Sequence, residues 1–496
     1  MELVTNDNII LNSYPTHYEV LNYKEGTCPK LENDLSYWVQ ERFTRNKYYY
    51  IENNTLYIAG GYDDTKLREY LDRPINFKDT VNPRKRLVFS MKFQPRNDIQ
   101  REAIRFLLGK DEYRYTMNMS QLVLSLSGGG GKTYCAIAAC SILATKVLVV
   151  CHTDIIRQQW IDRIQEYTTI PSSSVMVLNS TTKMNELLDK SNNQIVNKTG
   201  FYIASHDVLR NYMKRYGNNS LNELLIHLGI GVKIVDEAHK EFDNILQLDY
   251  FTNVWKTFYL TATFALSDDK TNAIYQKCFD RVFKLKRDTD NVGVNGKITY
   301  IAQMFNTNAN HIEIASMHTR GRNARFSKPK YIDYELEKGD ILDLIIEWLE
   351  WCIKKEYLTD TDQFLVISPK IESCDIICNT IRKRIPELRS CVHHSKSKVE
   401  SFDNYNVICV TAAMIDTGTD IDNLRGVIMT EPQVSQVNND QLIHRLKRGK
   451  DDRPRVIIDL IDISVKPTVR SFYQRKKTFM QYISNYFELN PFSKKK

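Results

Sequence analysis

The first feature of the sequence that can do chemistry is a run of glycines followed by lysine and threonine. It extends from Gly128 to Thr133, between an apolar segment and a segment of helical composition. Glycine leaves backbone N–H groups open to phosphate oxygens because it has no Cβ atom. Lys132 can reach the β- and γ-phosphates of ATP, and the Thr133 hydroxyl can ligate Mg²⁺. The glycines expected to contact phosphate are Gly128, Gly129, Gly130 and Gly131.

Two adjacent carboxylates follow a second apolar segment about a hundred residues later. Asp236 and Glu237 come directly after Val232–Val235 and precede Ala238 and His239. An Asp at the end of a neighbouring strand lies where the magnesium shell needs a carboxylate. Glu237 is then placed to orient or deprotonate the attacking water. An acidic helix start is the alternative for this tetrapeptide, but its distance from the phosphate loop favours ATP hydrolysis.

The elements that must hold these residues are short apolar strands that alternate with longer helical segments. Such alternation predicts a parallel sheet with helices on both faces, and its recurrence predicts two α/β lobes in tandem. The strands predicted for the first lobe are Leu122–Ser127, Val147–Cys151, Phe201–Ser205, Val232–Asp236 and Thr257–Thr261. Those predicted for the second are Phe364–Ser368, Val407–Thr411, Gly426–Thr430 and Val456–Leu460. Two helices are predicted over Asp154–Tyr167 and Ile371–Ile385.

The same pattern gives the expected domain boundaries. They are an N-terminal accessory domain of mixed α+β structure at 1–92, an ATP-binding lobe at 93–288, a polar linker at 289–335, a second lobe at 336–465, and a helix with a basic tail at 466–496. Within the accessory domain, two strand-like runs flank Asn53 and Asn54, which favours a β-hairpin. Tyr48–Tyr50 is expected to serve strand packing rather than base stacking.

Composition excludes several classes of protein. At 496 residues, 42% hydrophobic and 26% charged, the chain is typical of a soluble globular protein with more than one domain. The apolar runs are far shorter than the ~18 residues that span a membrane, and the first residues do not resemble a signal peptide. Ten scattered cysteines without a Cys-x-x-Cys pair predict reduced thiols rather than structural zinc. We therefore expect a cytoplasmic protein.

Positive charge is unevenly distributed along the chain. The net charge is +8, and residues 441–496 carry 14 Lys/Arg against 5 Asp/Glu, whereas residues 1–92 carry 13 of each. The C-terminal excess predicts a surface that can hold a polyanion. Arg84, Lys85 and Arg86 end the accessory domain and can bind a duplex phosphate backbone. Solvated surface is the alternative for these clusters and for the last lysines.

Taken together, the motifs over about 94–460 resemble those of superfamily 2 helicases with a DEAH box, here Asp236 to His239. The resemblance implies that Gln100 recognises adenine, whose N6/N7 edge a Gln amide can pair; a surface glutamine at a helix start is the alternative. Thr261-Ala-Thr263 resembles the motif that couples hydrolysis to lobe movement. Two further elements imply contacts with nucleic-acid phosphates, made by His152, Thr153 and Ser205.

The second lobe resembles the same family at two places. Thr411 implies a contact with a strand phosphate, and Gly418 and Asp420 imply contacts near the nucleotide ribose. The segment from Gln441 to Arg448 matches the family pattern Gln-x-x-Gly-Arg-x-x-Arg except at one position.

That segment implies a direct part in hydrolysis. Gln441, Arg445 and Arg448 are its candidate catalytic residues, and the two arginines, spaced by three, share one helix face. The resemblance implies that they point at the γ-phosphate across the cleft between the lobes. A solvated basic helix is the alternative.

The resemblance implies two tandem RecA-like parallel-sheet lobes with a small N-terminal domain. It implies an ATP-driven, Mg²⁺-dependent DNA helicase or translocase acting on branched DNA, like phage recombination and branch-migration helicases. The layout is also similar to excision-repair and type III restriction motors. An RNA helicase is the alternative within the class. A regulatory nucleic-acid-binding protein with an inactive ATPase site is the alternative outside it, favoured by Leu126 and His444 where the family has small residues.

Overall fold

Parallel β-sheets organise both halves of the chain, as the alternation of strands and helices predicts. In the computed structural model, contacts divide the chain into one unit at 1–289 and another at 290–496. The structure describes residues 8–39, 44–78, 81–109, 118–126, 130–262, 269–287, 298–319, 324–338, 340–394, 402, 404–411, 421, 423–431, 439, 442–443, 445–446 and 453–492. None of the helices within these ranges combines the length and the apolar character needed to cross a membrane.

The first unit begins with a mixed sheet and a separate two-stranded ribbon. The sheet strands are β1 (Ile10–Ser13), β2 (His17–Leu21), β5 (Tyr50–Glu52), β6 (Thr55–Ala59) and β7 (Ile75–Phe77), and the ribbon is β3 (Ser36–Val39) with β4 (Thr44–Lys47). The sheet order is β5-β6-β2-β1-β7, antiparallel except for β1 and β7. The predicted hairpin is present, because Asn53 and Asn54 turn between β5 and β6 with φ of 51° and 58°.

A seven-stranded parallel sheet forms the rest of the first unit. Its strands are β8 (Asn118–Leu126), β9 (Lys146–Cys151), β10 (Val175–Leu178), β11 (Phe201–Ser205), β12 (Ile230–Asp236), β13 (Lys256–Thr261) and β14 (Val282–Arg287). Their order is β10-β11-β9-β12-β13-β8-β14. The helices of this unit are α1 (Pro29–Asp34), α2 (Asp64–Leu71), α3 (Asp98–Leu107), α4 (Lys132–Leu143), α5 (Asp154–Tyr167), α6 (Thr181–Glu186), α7 (Asn193–Lys198), α8 (His206–Tyr216), α9 (Ser220–Leu228), α10 (Phe242–Tyr250) and α11 (Asp269–Cys278).

The N-terminal sheet and the parallel sheet share one hydrophobic core. The ring of Tyr48 stacks on Phe242 with centroids 5.3 Å apart, and Tyr250 donates a hydrogen bond to the Tyr48 carbonyl at 3.0 Å. The hydroxyl of Thr16 donates to the Thr252 carbonyl at 2.6 Å. Because these contacts are buried, the N-terminal region is an integral layer of the first unit.

A second seven-stranded parallel sheet forms the unit at 290–496. Its strands are β15 (Ile298–Phe305), β16 (Gln363–Ser368), β17 (Ser390–His393), β18 (Val407–Thr411), β19 (Leu424–Met429), β20 (Arg455–Asp462) and β21 (Asn485–Phe492). Their order is β17-β18-β16-β19-β20-β15-β21. The described helices are α12 (His311–Ser316), α13 (Lys328–Lys338), α14 (Asp340–Lys354), α15 (Ile371–Arg384) and α16 (Lys466–Phe479).

Two segments of this unit differ from the sequence predictions. The polar stretch at 289–335, expected to be a linker, contributes β15, which is buried and pairs with β20 and β21. The segment after α16, expected to be only a basic tail, contributes the edge strand β21. The residues of β15 are buried in the second sheet although polar residues surround the strand in the sequence, whereas β21 joins the sheet at its edge through backbone pairing with β15.

Candidate nucleotide and nucleic-acid site

The predicted catalytic residues of the first unit gather at one edge of its sheet. Strands β11, β9, β12 and β13 are parallel neighbours, so their carboxyl ends meet at the same edge. These strands end at or just before Ser205, His152, Asp236 and Thr261. The strand order thus brings together residues that lie far apart in the sequence.

The described part of the phosphate loop has the geometry of a tight entry into a helix. Gly131 has φ +84°, and α4 begins at Lys132. This positive φ favours glycine, and a Cβ atom at Gly131 would lie 2.3 Å from Nε2 of Gln100 and displace that amide. The ammonium of Lys132 donates to the Leu126 carbonyl at 3.1 Å, and Thr133 follows in the first turn. Gly128 and Gly129 lie outside the described residues.

Gln100 contacts the phosphate loop directly. Its buried amide donates to the Gly130 carbonyl at 3.4 Å, and its Oε1 accepts from the Arg96 backbone at 2.8 Å. Asn97 caps α3 by accepting from the Gln100 backbone at 2.9 Å. The geometry ties the predicted adenine-recognising residue to the conformation of the loop.

Asp236, the predicted magnesium ligand, ends β12 in a partly buried position. Its Oδ2 accepts from the indole N–H of Trp160 at 2.8 Å, and its Oδ1 accepts from the Glu237 backbone at 3.0 Å. Burial, followed by the charge of Glu237, raises the pKa of Asp236 to about 6. The Trp160 bond and the charge of Lys132 oppose this increase. Trp160 is 1% exposed, and the sequence patterns alone do not indicate its bond to this carboxylate.

Glu237 occupies a strained backbone conformation. Its φ is +50°, a region that costs a residue with a side chain roughly 1–3 kcal/mol and that concentrates at functional sites. Flanking hydrogen bonds hold it, since Ala238 donates to Leu260 at 2.9 Å and Lys240 donates to the Glu237 carbonyl at 2.8 Å. Burial acts to raise the pKa of Glu237. Several nearby groups lower this pKa, the positive charge of Lys132 most strongly, and the net result is a pKa below the usual value. The carboxylate is therefore ionised at neutral pH.

His239 connects the acidic box to the next strand. Its Nδ1 lies 2.9 Å from Oγ1 of Thr261 and 3.4 Å from Oε2 of Glu237. Burial lowers the pKa of His239 to about 4, so the ring is neutral at pH 7. Thr261 ends β13 and starts the predicted coupling motif, whose Thr263 lies outside the described residues.

Three of the residues predicted to contact nucleic acid, His152, Thr153 and Ser205, lie at the same sheet edge as the hydrolytic group. Thr153 and Ser205 cap α5 and α8, accepting backbone hydrogen bonds at 3.3 Å each. Burial, followed by the charge of Lys240, lowers the pKa of His152 to about 4, and its Nδ1 is a buried atom without a hydrogen-bond partner among the described residues. The charge of Glu237 acts in the opposite direction and raises the pKa of His152.

The basic cluster Arg84, Lys85 and Arg86 packs against the parallel sheet of the first unit. The guanidinium of Arg84 lies 3.8 Å from the ring centroid of Trp255. The backbone of Lys85 donates to the Gly229 carbonyl at 2.9 Å, and its ammonium donates to Asn197 at 3.3 Å. All three residues remain exposed, so they combine packing with an accessible positive surface.

In the second unit, Thr411 ends β18 and lines a cavity of about 670 Å³. Lys328 and Lys370 lie on its wall, together with the carboxylate of Glu431, which is 3.4 Å from the Lys328 ammonium. Arg445 lies in a helical turn and is partly exposed. The predicted residues outside the described part of this unit are Gly418, Asp420, Gln441, His444 and Arg448.

Comparison with protein families gives a match over the first lobe. Residues 93–266 match the family described as the type III restriction enzyme, res subunit. This is about a third of the chain and includes the phosphate loop and the acidic box. The predicted similarity to type III restriction motors is confirmed for this segment. A comparison with curated proteins gives no match.

Solved structures extend the likeness to both lobes. S. cerevisiae Dbp5 bound to RNA and ADP BeF3 has 14% identity and a TM-score of 0.52, over 80% of this chain and 90% of that chain. The Pyrococcus furiosus Hef helicase domain has 12% identity and a TM-score of 0.45, over 77% and 98%. T4 UvsW has 12% identity and a TM-score of 0.36, over 97% and 98%. The likeness to Dbp5 and the two parallel sheets confirm the predicted fold of tandem RecA-like lobes.

Proposed function

We propose that this protein is an ATP-driven motor that moves on nucleic acid, a helicase or translocase. The observation that carries the proposal is the convergence of Lys132, Asp236 and Glu237 at one sheet edge, where the charge of Lys132 acts on both carboxylates. Residues proposed to contact nucleic acid adjoin the same edge. The match to a restriction-enzyme subunit over 93–266 supports the proposal.

Each group has a proposed role in hydrolysis. Lys132 and the loop N–H groups bind the ATP phosphates, and Thr133 and Asp236 are the proposed Mg²⁺ ligands. These two residues fit Mg²⁺ because both supply hard oxygen ligands. Bound Mg²⁺ would neutralise charge on the phosphate oxygens. Glu237 orients the attacking water through Oε2, a buried atom that has no hydrogen-bond partner within the described chain.

The proposed coupling runs through His239 and Thr261. His239 contacts Glu237 on one side and bonds to the first residue of the coupling motif on the other. Arg445 and Arg448 are proposed to stabilise transition-state charge in hydrolysis, and Gln441 to assist them. Gln100 is proposed to couple adenine binding to the conformation of the phosphate loop, because its amide donates a hydrogen bond to the Gly130 carbonyl.

DNA, and in particular branched DNA, is the proposed substrate. The family match named for a restriction enzyme favours DNA, and the N-terminal layer adds surface next to the first lobe that a minimal motor lacks. A role in phage or viral recombination or repair, within the host cytoplasm, is part of the proposal. RNA is the second candidate, because Dbp5 was solved bound to RNA.

An ATPase assay across nucleic acids tests the proposal. Turnover should rise on adding DNA, and more with a fork or four-way junction than with single-stranded or duplex DNA. Equal or greater stimulation by RNA would favour an RNA helicase. Nucleic-acid binding without turnover under any condition would identify instead a regulatory binding protein with an inactive ATPase site.

A further inference from the structure

One side chain of the N-terminal ribbon is unusually open to solvent. Of the chain's five tryptophans, Trp38 on β3 is the one with more than half of its surface exposed, at 53%. In the described part of the protein, no ring contact or hydrogen bond involves its indole. Neither the proposed ATPase cycle nor the shared core uses this side chain.

The register of the ribbon puts two cations on the same face as Trp38. Trp38 pairs with Arg45, and Ser36 pairs with Lys47, so alternation places Trp38, Arg45 and Lys47 together. The guanidinium of Arg45 donates a hydrogen bond to the side-chain amide of Asn33. Because this amide is neutral, the bond does not neutralise the charge of Arg45. The ammonium of Lys47 pairs with Glu25, but both partners are exposed and such pairs are weak.

The opposite face of the ribbon fixes it to the first lobe. The hydroxyl of Tyr37 lies 3.0 Å from Oγ1 of Thr271 in α11 and accepts from Asn46 at 3.0 Å. The ammonium of Lys270 lies 5.9 Å from the Tyr37 ring centroid. Helix α11 is the next described helix after β13, which ends in the proposed coupling motif. The ribbon that carries Trp38 is therefore attached to α11 of the first unit.

We propose that the Trp38 face binds an unpaired nucleobase at the junction between single-stranded and duplex nucleic acid, with Trp38 stacking on the base and Arg45 and Lys47 contacting flanking phosphates. The inference rests on the proposed function and adds a substrate contact to it. An exposed indole offers a π-face to any base, and neighbouring cations complement the phosphate charge. A paired base inside a duplex offers no such face, so the contact favours unpaired nucleotides, such as those that begin at a branch point, over internal base pairs.

Binding measured by fluorescence anisotropy on a forked DNA, with 2-aminopurine at the first unpaired position, tests the proposal. Trp38→Ala should weaken fork binding roughly 5- to 100-fold. It should also abolish the change in 2-aminopurine fluorescence that accompanies binding of the unmodified protein. Affinity for blunt duplex and ATPase activity without nucleic acid should be unchanged. Trp38→Phe should restore most of the fork affinity because a phenyl ring also stacks. Arg45→Gln should reduce the slope of log affinity against log salt by about 0.9.

Phe77→Ala provides the matched control, because Phe77 is 65% exposed on β7 of the N-terminal sheet but lies outside the ribbon. It should bind forks like the unmodified protein. Fork binding by Trp38→Ala equal to that of the unmodified protein would overturn the inference and leave the motor proposal intact. So would an equal loss in Trp38→Ala and Phe77→Ala. Absence of binding to fork, duplex and RNA by the unmodified protein would instead overturn the motor proposal together with this contact.

Discussion

The indole N–H of Trp160 donates a hydrogen bond to Oδ2 of Asp236 at 2.8 Å. Trp160 lies in α5, the helix that Thr153 caps, whereas Asp236 ends β12. A helix that starts at a proposed nucleic-acid contact therefore holds the proposed magnesium ligand. If binding of a nucleic-acid strand moved α5, the hydrogen bond from Trp160 would transmit that movement to Asp236.

Trp160→Phe should remove this bond and retain most of the packing. Groups that orient a metal ligand typically contribute 10- to 100-fold to metal affinity or activity, so we expect the Mg²⁺ requirement of ATP hydrolysis to rise by about that factor. A Mg²⁺ titration of turnover measures it. Trp348→Phe, at a buried position in the second unit, is the control and should leave the titration unchanged. An unaltered Mg²⁺ requirement in Trp160→Phe would show that the bond only supports the core.

Lys132→Ala should abolish hydrolysis, because the loop loses its phosphate-binding charge. Glu237→Gln should still bind ATP but turn it over slowly, since the amide preserves shape and loses the ability to activate water. Nucleotide binding by titration and single-turnover hydrolysis separate the two effects. Normal turnover in Glu237→Gln would contradict the role proposed for its carboxylate.

Arg445→Ala should reduce turnover by roughly 10³-fold or more while leaving ATP affinity nearly constant, because such arginines stabilise transition-state charge. Arg448→Ala should behave alike. Arg384→Ala removes a partly exposed arginine paired with Asp343 and provides a charge-matched control. Normal DNA-stimulated hydrolysis in both Arg445→Ala and Arg448→Ala would show that these arginines form only a solvated basic surface.

Tyr48→Ala should destabilise the whole first unit, because Tyr48 stacks on Phe242 inside the shared core. Truncating a buried aromatic ring costs about 3–5 kcal/mol. Urea unfolding should show the first unit losing its N-terminal layer and its parallel sheet in one transition. Deleting 1–92 should for the same reason unfold the first lobe. A folded, ATP-binding truncation would refute the shared core.

Glu335→Gln should raise stability at neutral and alkaline pH. Burial first, and the nearby Asp462 charge second, raise the pKa of Glu335 well above its usual value. The native state thus holds a proton that the unfolded state releases above a pH of roughly 4.3. The stability that this proton provides is full below that pH and falls as pH rises towards the native pKa. Thermal melts at pH 5 and pH 8 should show a smaller difference for Glu335→Gln than for the unmodified protein.

Continuous apolar strands could be predicted from sequence, whereas strands set by their partners could not. Phe201–Ser205 and Val407–Thr411 coincide with β11 and β18 because each is buried on both faces. The edge strand β21 could not be predicted because Glu488 and two asparagines interrupt its pattern, and its described side chains are mostly exposed, with Phe487 52% exposed. Polar residues on both sides concealed β15.

Some residues of the candidate site could likewise be predicted from the sequence, and others could not. Lys132 and Asp236 could be found because loop chemistry fixes the residue types and spacing. The roles of Trp160 and Trp38 depend on tertiary geometry, which spacing does not contain. A buried indole N–H needs a hydrogen-bond acceptor, and this was the available signal for Trp160. The sequence around Trp38 gives no comparable signal, because alternation on a short ribbon does not show which face meets solvent.

The position of β15 in its sheet has a consequence for synthesis of the protein. Ile298–Phe305 pairs on one side with Arg455–Asp462 and on the other with a still later segment. A ribosome that adds ~5–20 residues per second takes roughly 8–30 s to make the ~150 residues that separate β15 from its first partner. Throughout that interval an eight-residue apolar strand has both hydrogen-bonding edges open, which invites aggregation. The nascent second unit should therefore depend on chaperones that shield this strand until translation has passed residue 462.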